Sequence, residues 1–243
     1  MSAMGMYFAE FVGTAILILL GNGVNMNTSL GKSYAKGSGW IVVTAGWGFA
    51  VSMAVYATGW VSGAHINPAV TMALAVTGNF SWALVPGYIV AQALGGITGA
   101  TLAYLMFKNH MDQEEDPGTK LGVFSTGGAI ADTKWNFVSE VIGTCMLVFG
   151  ILGIGHANNQ MSPAAAPLLV GILVWSIGLS LGGATGYAIN PARDLGPRIA
   201  HAILPIKGKG SSNWSYAWVP VVAPLVGGTA GALFYNFCLT MWK

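Results

Sequence analysis

The chain has 243 residues, of which 54% are hydrophobic and only 7% are charged, whereas a typical soluble domain is roughly 25% charged. This composition excludes a water-soluble globular protein, and the 35 glycines follow no collagen-like period that would indicate a fibre. The formal net charge of +2 provides no basic surface for a nucleic acid partner. Cys145 and Cys238 lie in apolar runs, so we expect neither a disulfide framework nor a metal site.

Six apolar stretches approach the roughly 20 residues that a helix needs to cross a bilayer. In chain order they cover residues 4–20, 40–60, 82–107, 135–155, 165–181 and 217–241. The first stretch carries Glu10 and has no basic segment before it, so it is interpreted as a retained helix rather than a cleaved signal peptide. The sequence therefore predicts an all-α membrane protein with six transmembrane helices.

The chain also contains an internal duplication. Residues 9–14 (AEFVGT), 66–69 (INPA) and 95–100 (GGITGA) match residues 139–144 (SEVIGT), 189–192 (INPA) and 227–232 (GGTAGA) in the same order. Each half carries three predicted spans, and an odd number requires the second half to be inverted in the membrane. We therefore predict one transmembrane domain over residues 1–243, with inverted repeats at about 1–118 and 130–243. The polar segment 108–134 between them is expected to be a solvated loop.

Two Asn-Pro-Ala motifs each predict the start of a helix, because asparagine is a preferred N-cap and proline suits the first helical position. The motifs are Asn67, Pro68, Ala69 and Asn190, Pro191, Ala192. The helices that follow, at about 68–77 and 191–203, are short, since ten residues cover roughly 15 Å or half of the hydrocarbon core. In inverted halves these re-entrant half-helices enter from opposite faces, so their positive N-terminal ends meet near the midplane.

Six spans, two Asn-Pro-Ala motifs, paired intramembrane glutamates and two Gly-Gly-x-x-Gly-Ala segments together resemble the aquaporin family, membrane channels for water and small neutral solutes. The resemblance covers essentially the whole chain. It implies passive diffusion of glycerol, water and other small uncharged solutes, with ions and protons excluded. It further implies a channel rather than an enzyme, no cofactor, a homotetramer in the cell membrane, and cytoplasmic N- and C-termini.

The resemblance also implies a selectivity filter, formed by Trp47, Gly178, Tyr187 and Arg193. Water-selective members are expected to carry histidine at the position of Gly178, so glycine is expected to leave space there. Trp47 and Tyr187 would then present two aromatic faces opposite the Arg193 guanidinium, an arrangement that suits the carbon edge and the hydroxyls of a polyol. Asp194 and Pro220 likewise resemble the glycerol-conducting branch, the aquaglyceroporins.

One position departs from that branch, which more often has phenylalanine where Tyr187 stands. The additional hydroxyl is expected to narrow the opening or to favour a more polar solute such as protonated lactic acid.

The remaining site residues follow from the same resemblance. Asn67 and Asn190 are expected to donate amide hydrogens to the passing solute, and His65 is expected to face the lumen. Backbone carbonyls before each motif would accept hydrogen bonds from the solute, namely those of Gly63, Ala64, His65, Gly186, Tyr187 and Ala188. Because Glu10 and Glu140 are duplicated, we interpret both as acceptors for the N–H groups of the re-entrant loops.

The sequence is compatible with one other class of membrane protein. A secondary active transporter also uses inverted repeats with broken helices, although no unassigned midplane carboxylate remains to bind a coupling ion.

The orientation implied by the resemblance conflicts with the positive-inside rule, because cytoplasmic termini would place most lysines outside. Lys243 would be inside, whereas seven lysines would be outside: Lys32, Lys36, Lys108, Lys120, Lys134, Lys207 and Lys209.

Overall fold

The computed structural model describes residues 1–242, so Lys243 lies outside the described part of the chain. Within that part the fold is entirely helical, without strands. Its α-helices are α1 (Ala3–Ser29), α2 (Trp40–Ser62), α3 (Pro68–Val76), α4 (Val85–Met106), α5 (Lys108–Gln113), α6 (Pro117–Gly122), α7 (Thr133–Ile154), α8 (Ala166–Leu181), α9 (Pro191–Ile203) and α10 (Val219–Met241).

Six of these helices are long and apolar enough to cross a membrane, namely α1, α2, α4, α7, α8 and α10. The molecule exposes large apolar side chains on the outside, such as Phe8 at 65% and Trp60 at 75%, while Glu10 and Glu140 are buried at 0% and 1%. An apolar exterior around a polar interior is what a lipid environment favours. The prediction of a multi-pass, all-α membrane protein is confirmed.

The first helix is longer than the sequence predicted, because α1 continues past residue 20 to Ser29. The extension contains glycines and asparagines that resemble a helix end, but Gly21 and Asn22 are buried inside the bundle. A Cβ atom on Gly21 would lie 2.2 Å from the Trp47 ring, so this glycine lets the indole pack against α1. Tertiary contacts therefore override the local signals for a helix end.

The prediction of a solvated loop over 108–134 is wrong for much of that segment. Residues 108–113 and 117–122 form α5 and α6, and Asp116 caps α6 by accepting hydrogen bonds from the N–H groups of Gly118 and Thr119. A hydrogen bond from the Thr119 hydroxyl, together with those from the two N–H groups, lowers the pKa of Asp116. The following stretch, which we call segment 123–126, is buried at 0–7% exposure, because it packs into the bundle beside α1 and α9.

Glycines allow the helices to pack closely in an equivalent way in both halves. A Cβ atom on Gly95 of α4 would lie 2.4 Å from the Phe11 carbonyl oxygen of α1, and one on Gly227 of α10 would lie 2.3 Å from the Val141 carbonyl oxygen of α7. The next glycine on each helix, Gly96 on α4 and Gly228 on α10, packs against a half-helix.

On α4, a Cβ on Gly96 would lie 2.7 Å from the Ala192 carbonyl oxygen of α9, and on α10 one on Gly228 would lie 3.1 Å from that of Ala69 in α3. Each half-helix therefore packs against a spanning helix of the opposite half, which brings the two Asn-Pro-Ala motifs together.

Candidate functional site

Two adjacent cavities lie inside the bundle. The main cavity has a volume of about 350 Å³ and contains both Asn67 and Asn190 in its wall. The mouth cavity, of about 310 Å³, lies beside segment 123–126. Trp47, Tyr187 and Arg193 line both cavities, so these three side chains form the partition between them.

The wall of the main cavity combines two kinds of surface. The spanning helices contribute apolar side chains, including Leu17, Val51, Leu147 and Val174. The two re-entrant loops contribute backbone and amide groups, so the cavity has a polar stripe as well as an apolar wall.

The loops before the two half-helices share an unusual backbone conformation. Left-handed φ values occur at equivalent positions: Gly63 (83°) and Gly186 (81°), Ala64 (45°) and Tyr187 (40°), Ile66 (44°) and Ile189 (44°). For residues with a Cβ atom this conformation is strained, and such strain persists where the surrounding structure enforces it. Within residues 1–242 no protein donor bonds to the carbonyls of 63–65 or 186–188, so these six oxygens remain available.

The motif asparagines use each end of the amide differently. The Asn67 side-chain oxygen accepts from the Ala69 N–H at 2.8 Å and caps α3, and its amide nitrogen donates to the Ile189 carbonyl at 2.8 Å. Asn190 caps α9 in the same way and donates to the Ile66 carbonyl at 2.8 Å. Because a side-chain amide has two N–H donors, one N–H of each asparagine remains for a molecule in the cavity.

Glu10 is bound to the first re-entrant loop. Its carboxylate accepts hydrogen bonds from the Ser62 hydroxyl (2.7 Å) and from the N–H groups of His65 (2.9 Å) and Ile66 (2.6 Å). The Gln92 amide of α4 is a fourth donor, at 2.8 Å. The two backbone N–H groups would otherwise lack a hydrogen-bond partner inside the protein.

Glu140 makes the corresponding contacts with the second loop. It accepts from the Thr185 hydroxyl (2.6 Å) and from the N–H groups of Ala188 (2.9 Å) and Ile189 (2.8 Å). A fourth donor is absent from this set, because the position equivalent to Gln92 is Pro224.

Arg193 lies at the partition and is held loosely by the protein. Its guanidinium carbon lies 3.8 Å from the centroid of the Trp47 ring, a cation–π geometry. One nitrogen donates to the Phe124 carbonyl at 3.4 Å, so most of its five N–H donors have no bond to residues 1–242. Trp47 thus presents a ring face to the guanidinium, as expected, but the two groups are in direct contact and leave no space for a solute between them.

Gly178 does not open into the lumen as the sequence analysis expected. A Cβ atom there would lie 2.8 Å from Cζ of Tyr187 and 2.9 Å from the methyl group of Thr44. The space left by glycine is thus filled by the Tyr187 ring, and Gly178 lines neither cavity. The Tyr187 hydroxyl is buried against Gly178 and has no hydrogen-bond partner within residues 1–242.

Asp194 and Arg198 form a buried ion pair beside the partition, with nitrogen–oxygen distances of 2.7 and 2.8 Å. Asp194 also accepts from the backbone N–H and the hydroxyl of Thr126, both at 2.7 Å. Arg198 donates to the carbonyls of Thr126 and Ser212. This pair ties segment 123–126 to α9, whereas Pro220 lies buried in the first turn of α10.

His65 lines the main cavity. Its Nδ1 lies 3.1 Å from the Thr71 hydroxyl, and its ring packs against Phe80 and Tyr88 at centroid distances of 4.6 and 5.0 Å. The ring is therefore both part of the wall and packed on one side.

Sequence reasoning missed several polar residues that support the partition. The Asn22 amide donates to the carbonyls of Val123 (2.7 Å) and Phe124 (2.9 Å), and the Asn25 oxygen accepts from the Trp47 indole at 3.0 Å. Both asparagines lie on the part of α1 that the hydropathy pattern left out. A polar residue every third position near a span end is the signal that could have indicated them.

Comparisons with known proteins agree with this geometry. The family model described as "Major intrinsic protein" matches residues 1–235. A glycerol uptake facilitator protein of Bacillus subtilis is 58% identical over 230 residues, which cover 95% of this chain and 83% of that protein. Glycerol uptake facilitator protein 3 of Lactiplantibacillus plantarum is 55% identical over 227 residues, which cover 93% of this chain and 94% of that protein.

Among solved structures, the aquaglyceroporin from Plasmodium falciparum is similar with a TM-score of 0.88 and 29% identity, covering 99% of this chain and 98% of its own. A family match over almost the whole chain, relatives above 50% identity and a closely similar fold all point to one assignment. The chain belongs to the major intrinsic protein family.

Proposed function

We propose that the protein is a passive channel for glycerol, water and other small uncharged solutes. The observation that carries this proposal is the main cavity, in which a stripe of free carbonyls and asparagine amides accompanies an apolar wall. Glycerol has the same two-sided character, with hydroxyls along one edge and carbon along the other. Relatives at 55–58% identity that are named glycerol uptake facilitators support this choice of solute.

The polar stripe would replace the solvation of the solute step by step. Asn67 and Asn190 would donate to its oxygens, while the carbonyls of residues 63–65 and 186–188 would accept from its hydroxyls. The positive N-terminal ends of α3 and α9 and the charge of Arg193 would repel protons and other cations. The protein would thus conduct neutral solutes without conducting charge.

We assign the selectivity filter to Trp47, Tyr187 and Arg193, with Gly178 as the residue that makes room for the tyrosine ring. The free guanidinium donors would bind solute hydroxyls, and the ring of Tyr187 would limit the width. Glu10 and Glu140 would hold the loops in place rather than carry protons.

We also propose the oligomeric state, the membrane orientation and the repeat boundaries. The protein would be a homotetramer with cytoplasmic N- and C-termini, composed of inverted repeats at about 1–118 and 130–243. It would act as a channel and not as an enzyme. The family membership supports each of these points.

Stopped-flow light scattering on proteoliposomes tests the proposal. We expect vesicles with the purified protein to equilibrate glycerol and water faster than empty liposomes, without dissipating a proton gradient. Glycerol equilibration no faster than in empty liposomes would exclude the glycerol channel. Accumulation of solute against a gradient would instead support the secondary active transporter, and faster flux of protonated lactic acid than of glycerol would make that acid the main solute.

A further inference from the structure

The Tyr187 ring rests in a recess of the helical wall that we call the α8 socket, formed by Gly178, Gly182, Thr44 and Trp40. A Cβ atom on Gly182 would lie 2.5 Å from Cδ1 and 3.1 Å from Cε1 of Tyr187, and 2.9 Å from the Trp40 ring. The Trp40 and Tyr187 rings meet edge to face at 5.9 Å. The Trp40 indole N–H is fixed in turn by donating to the Gly178 carbonyl at 3.0 Å.

The contacts of Gly182 differ from those of the glycines at the helix crossings. Around Gly95 and Gly227 the nearest atom belongs to the backbone of a neighbouring helix, as expected for a helix crossing. Around Gly182 the three nearest atoms all belong to the side chains of Tyr187 and Trp40. Gly182 therefore makes room for a filter side chain and not for a helix.

The backbone at Gly182 does not itself require glycine. Its φ of −77° and ψ of −18° are right-handed helical values that alanine adopts without strain. The missing Cβ is thus needed only because of the Tyr187 and Trp40 rings.

We propose that Gly182 is a positioning residue that sets the width of the constriction by letting the Tyr187 ring withdraw into the wall. Ordinary carbon–carbon contacts are about 3.5–4.0 Å, so a methyl group at 182 displaces the ring by about 1 Å. Gly178, Thr44 and Trp40 close the other sides of the socket, and Tyr187 borders the two cavities. The ring consequently moves toward the lumen, opposite Arg193 and its free donors.

This inference rests on the proposed function, and Gly182→Ala tests it. We expect the ratio of glycerol to water permeability in proteoliposomes to fall by about three- to tenfold, because a narrower partition obstructs a three-carbon solute more than water. Gly183→Ala is the matched control. Gly183 is the next residue, and no atom lies within 4 Å of the position of its Cβ, so its ratio stays at the wild-type value.

The double variant Gly182→Ala/Tyr187→Ala separates positioning from general damage. Once the Tyr187 ring is absent, the methyl group presses only on Trp40, which is not part of the partition, so the double variant matches Tyr187→Ala in its glycerol-to-water ratio. The Cβ of Gly178→Ala would press on the same ring, so this variant also lowers the glycerol-to-water ratio. It replaces Gly182→Ala as the test if Gly182→Ala does not assemble.

An unchanged ratio in Gly182→Ala, an equal loss of both permeabilities, or the same fall in the Tyr187→Ala background would overturn the inference. Absence of glycerol flux in the wild type would overturn the proposed function instead. In that event the ratio of urea to water permeability reports the width of the partition in the same variants.

Discussion

The Tyr187 hydroxyl is the residue-scale feature on which sequence and structure disagree most. The sequence suggested that it narrows the opening or favours a more polar solute, yet within residues 1–242 it is buried against Gly178 without a partner. We therefore expect Tyr187→Phe to leave the relative permeabilities of glycerol, urea and protonated lactic acid unchanged. Removing an unsatisfied buried hydroxyl is expected to stabilise the protein by about 1 kcal/mol.

Side-by-side flux measurements in proteoliposomes and thermal unfolding in detergent check both parts of this prediction. Selective loss of lactic acid flux in Tyr187→Phe would mean that the hydroxyl reaches the lumen during transport.

Asn67 offers a sharper test of the polar stripe. In Asn67→Asp the oxygen that caps α3 is kept, but the donor to the Ile189 carbonyl and the donor to the solute are both lost. We expect water and glycerol permeability to fall by about tenfold or more, because unsatisfied buried groups cost on the order of 1–3 kcal/mol. Asn109→Asp makes the same chemical change at an exposed position and is expected to conduct normally. Equal transport by the two variants, at matched abundance, would contradict the role of Asn67.

Among single residues, the sequence predicted those that belong to a local motif. It missed those whose role depends on contacts with residues far away in the chain. Asn67 and Asn190 could be assigned because capping and repetition are local signals. Asn22 and Gly182 could not, since their partners, the carbonyls of segment 123–126 and the Tyr187 ring, are brought near only by the tertiary structure.

Among the elements, the two re-entrant loops are supported in related but unequal ways. Glu10 has four donors, including Gln92, whereas Glu140 has three. In Glu140→Gln one acceptor oxygen becomes an N–H₂ group that faces backbone N–H donors.

We expect this substitution to lower the free energy of unfolding by about 1–3 kcal/mol, measured as a lower thermal midpoint in detergent. Glu115→Gln, at an exposed position in the linker, is expected to leave the midpoint unchanged. Full stability of Glu140→Gln with loss of transport alone would favour a functional role for the carboxylate over support of the loop.

Element boundaries were predictable where local chemistry determines them. The half-helices begin at Pro68 and Pro191 as expected, and α9 ends at Ile203. The end of α1 and the course of segment 123–126 were not predictable, because buried contacts rather than hydropathy determine them. Because residues 108–122 are polar, the sequence did not indicate that the adjoining segment 123–126 is buried. The Phe124 carbonyl of this segment accepts a hydrogen bond from Arg193.

At the scale of the whole molecule, the lysines of residues 1–242 lie on one face of the helical bundle. Asn22, close to the C-terminal end of α1, binds Val123 and Phe124, so the linker between the halves lies on the face opposite the N-terminus. Lys120 of the linker donates to the Lys207 carbonyl, which places the chain before α10 on the same face. Within residues 1–242, the lysines all lie in or beside the three connections on this side, at 30–39, 107–132 and 204–218.

Because the lysines lie on one face, the positive-inside rule and the family membership predict opposite orientations in the membrane. The positive-inside rule favours a cytoplasmic location for the lysine-bearing face, whereas membership of the family supports cytoplasmic termini. We expect the family orientation, because the positive-inside rule is a statistical bias on insertion and not a strict requirement.

An epitope inserted at Glu115, which is exposed, should bind antibody in intact cells with the outer face of the membrane accessible. An epitope before Met1 should bind only after permeabilisation. The two insertions control for each other, since they lie at opposite ends of the same bundle. The reverse pattern would show that charge determines the orientation and that the mouth cavity with Arg193 opens toward the cytoplasm.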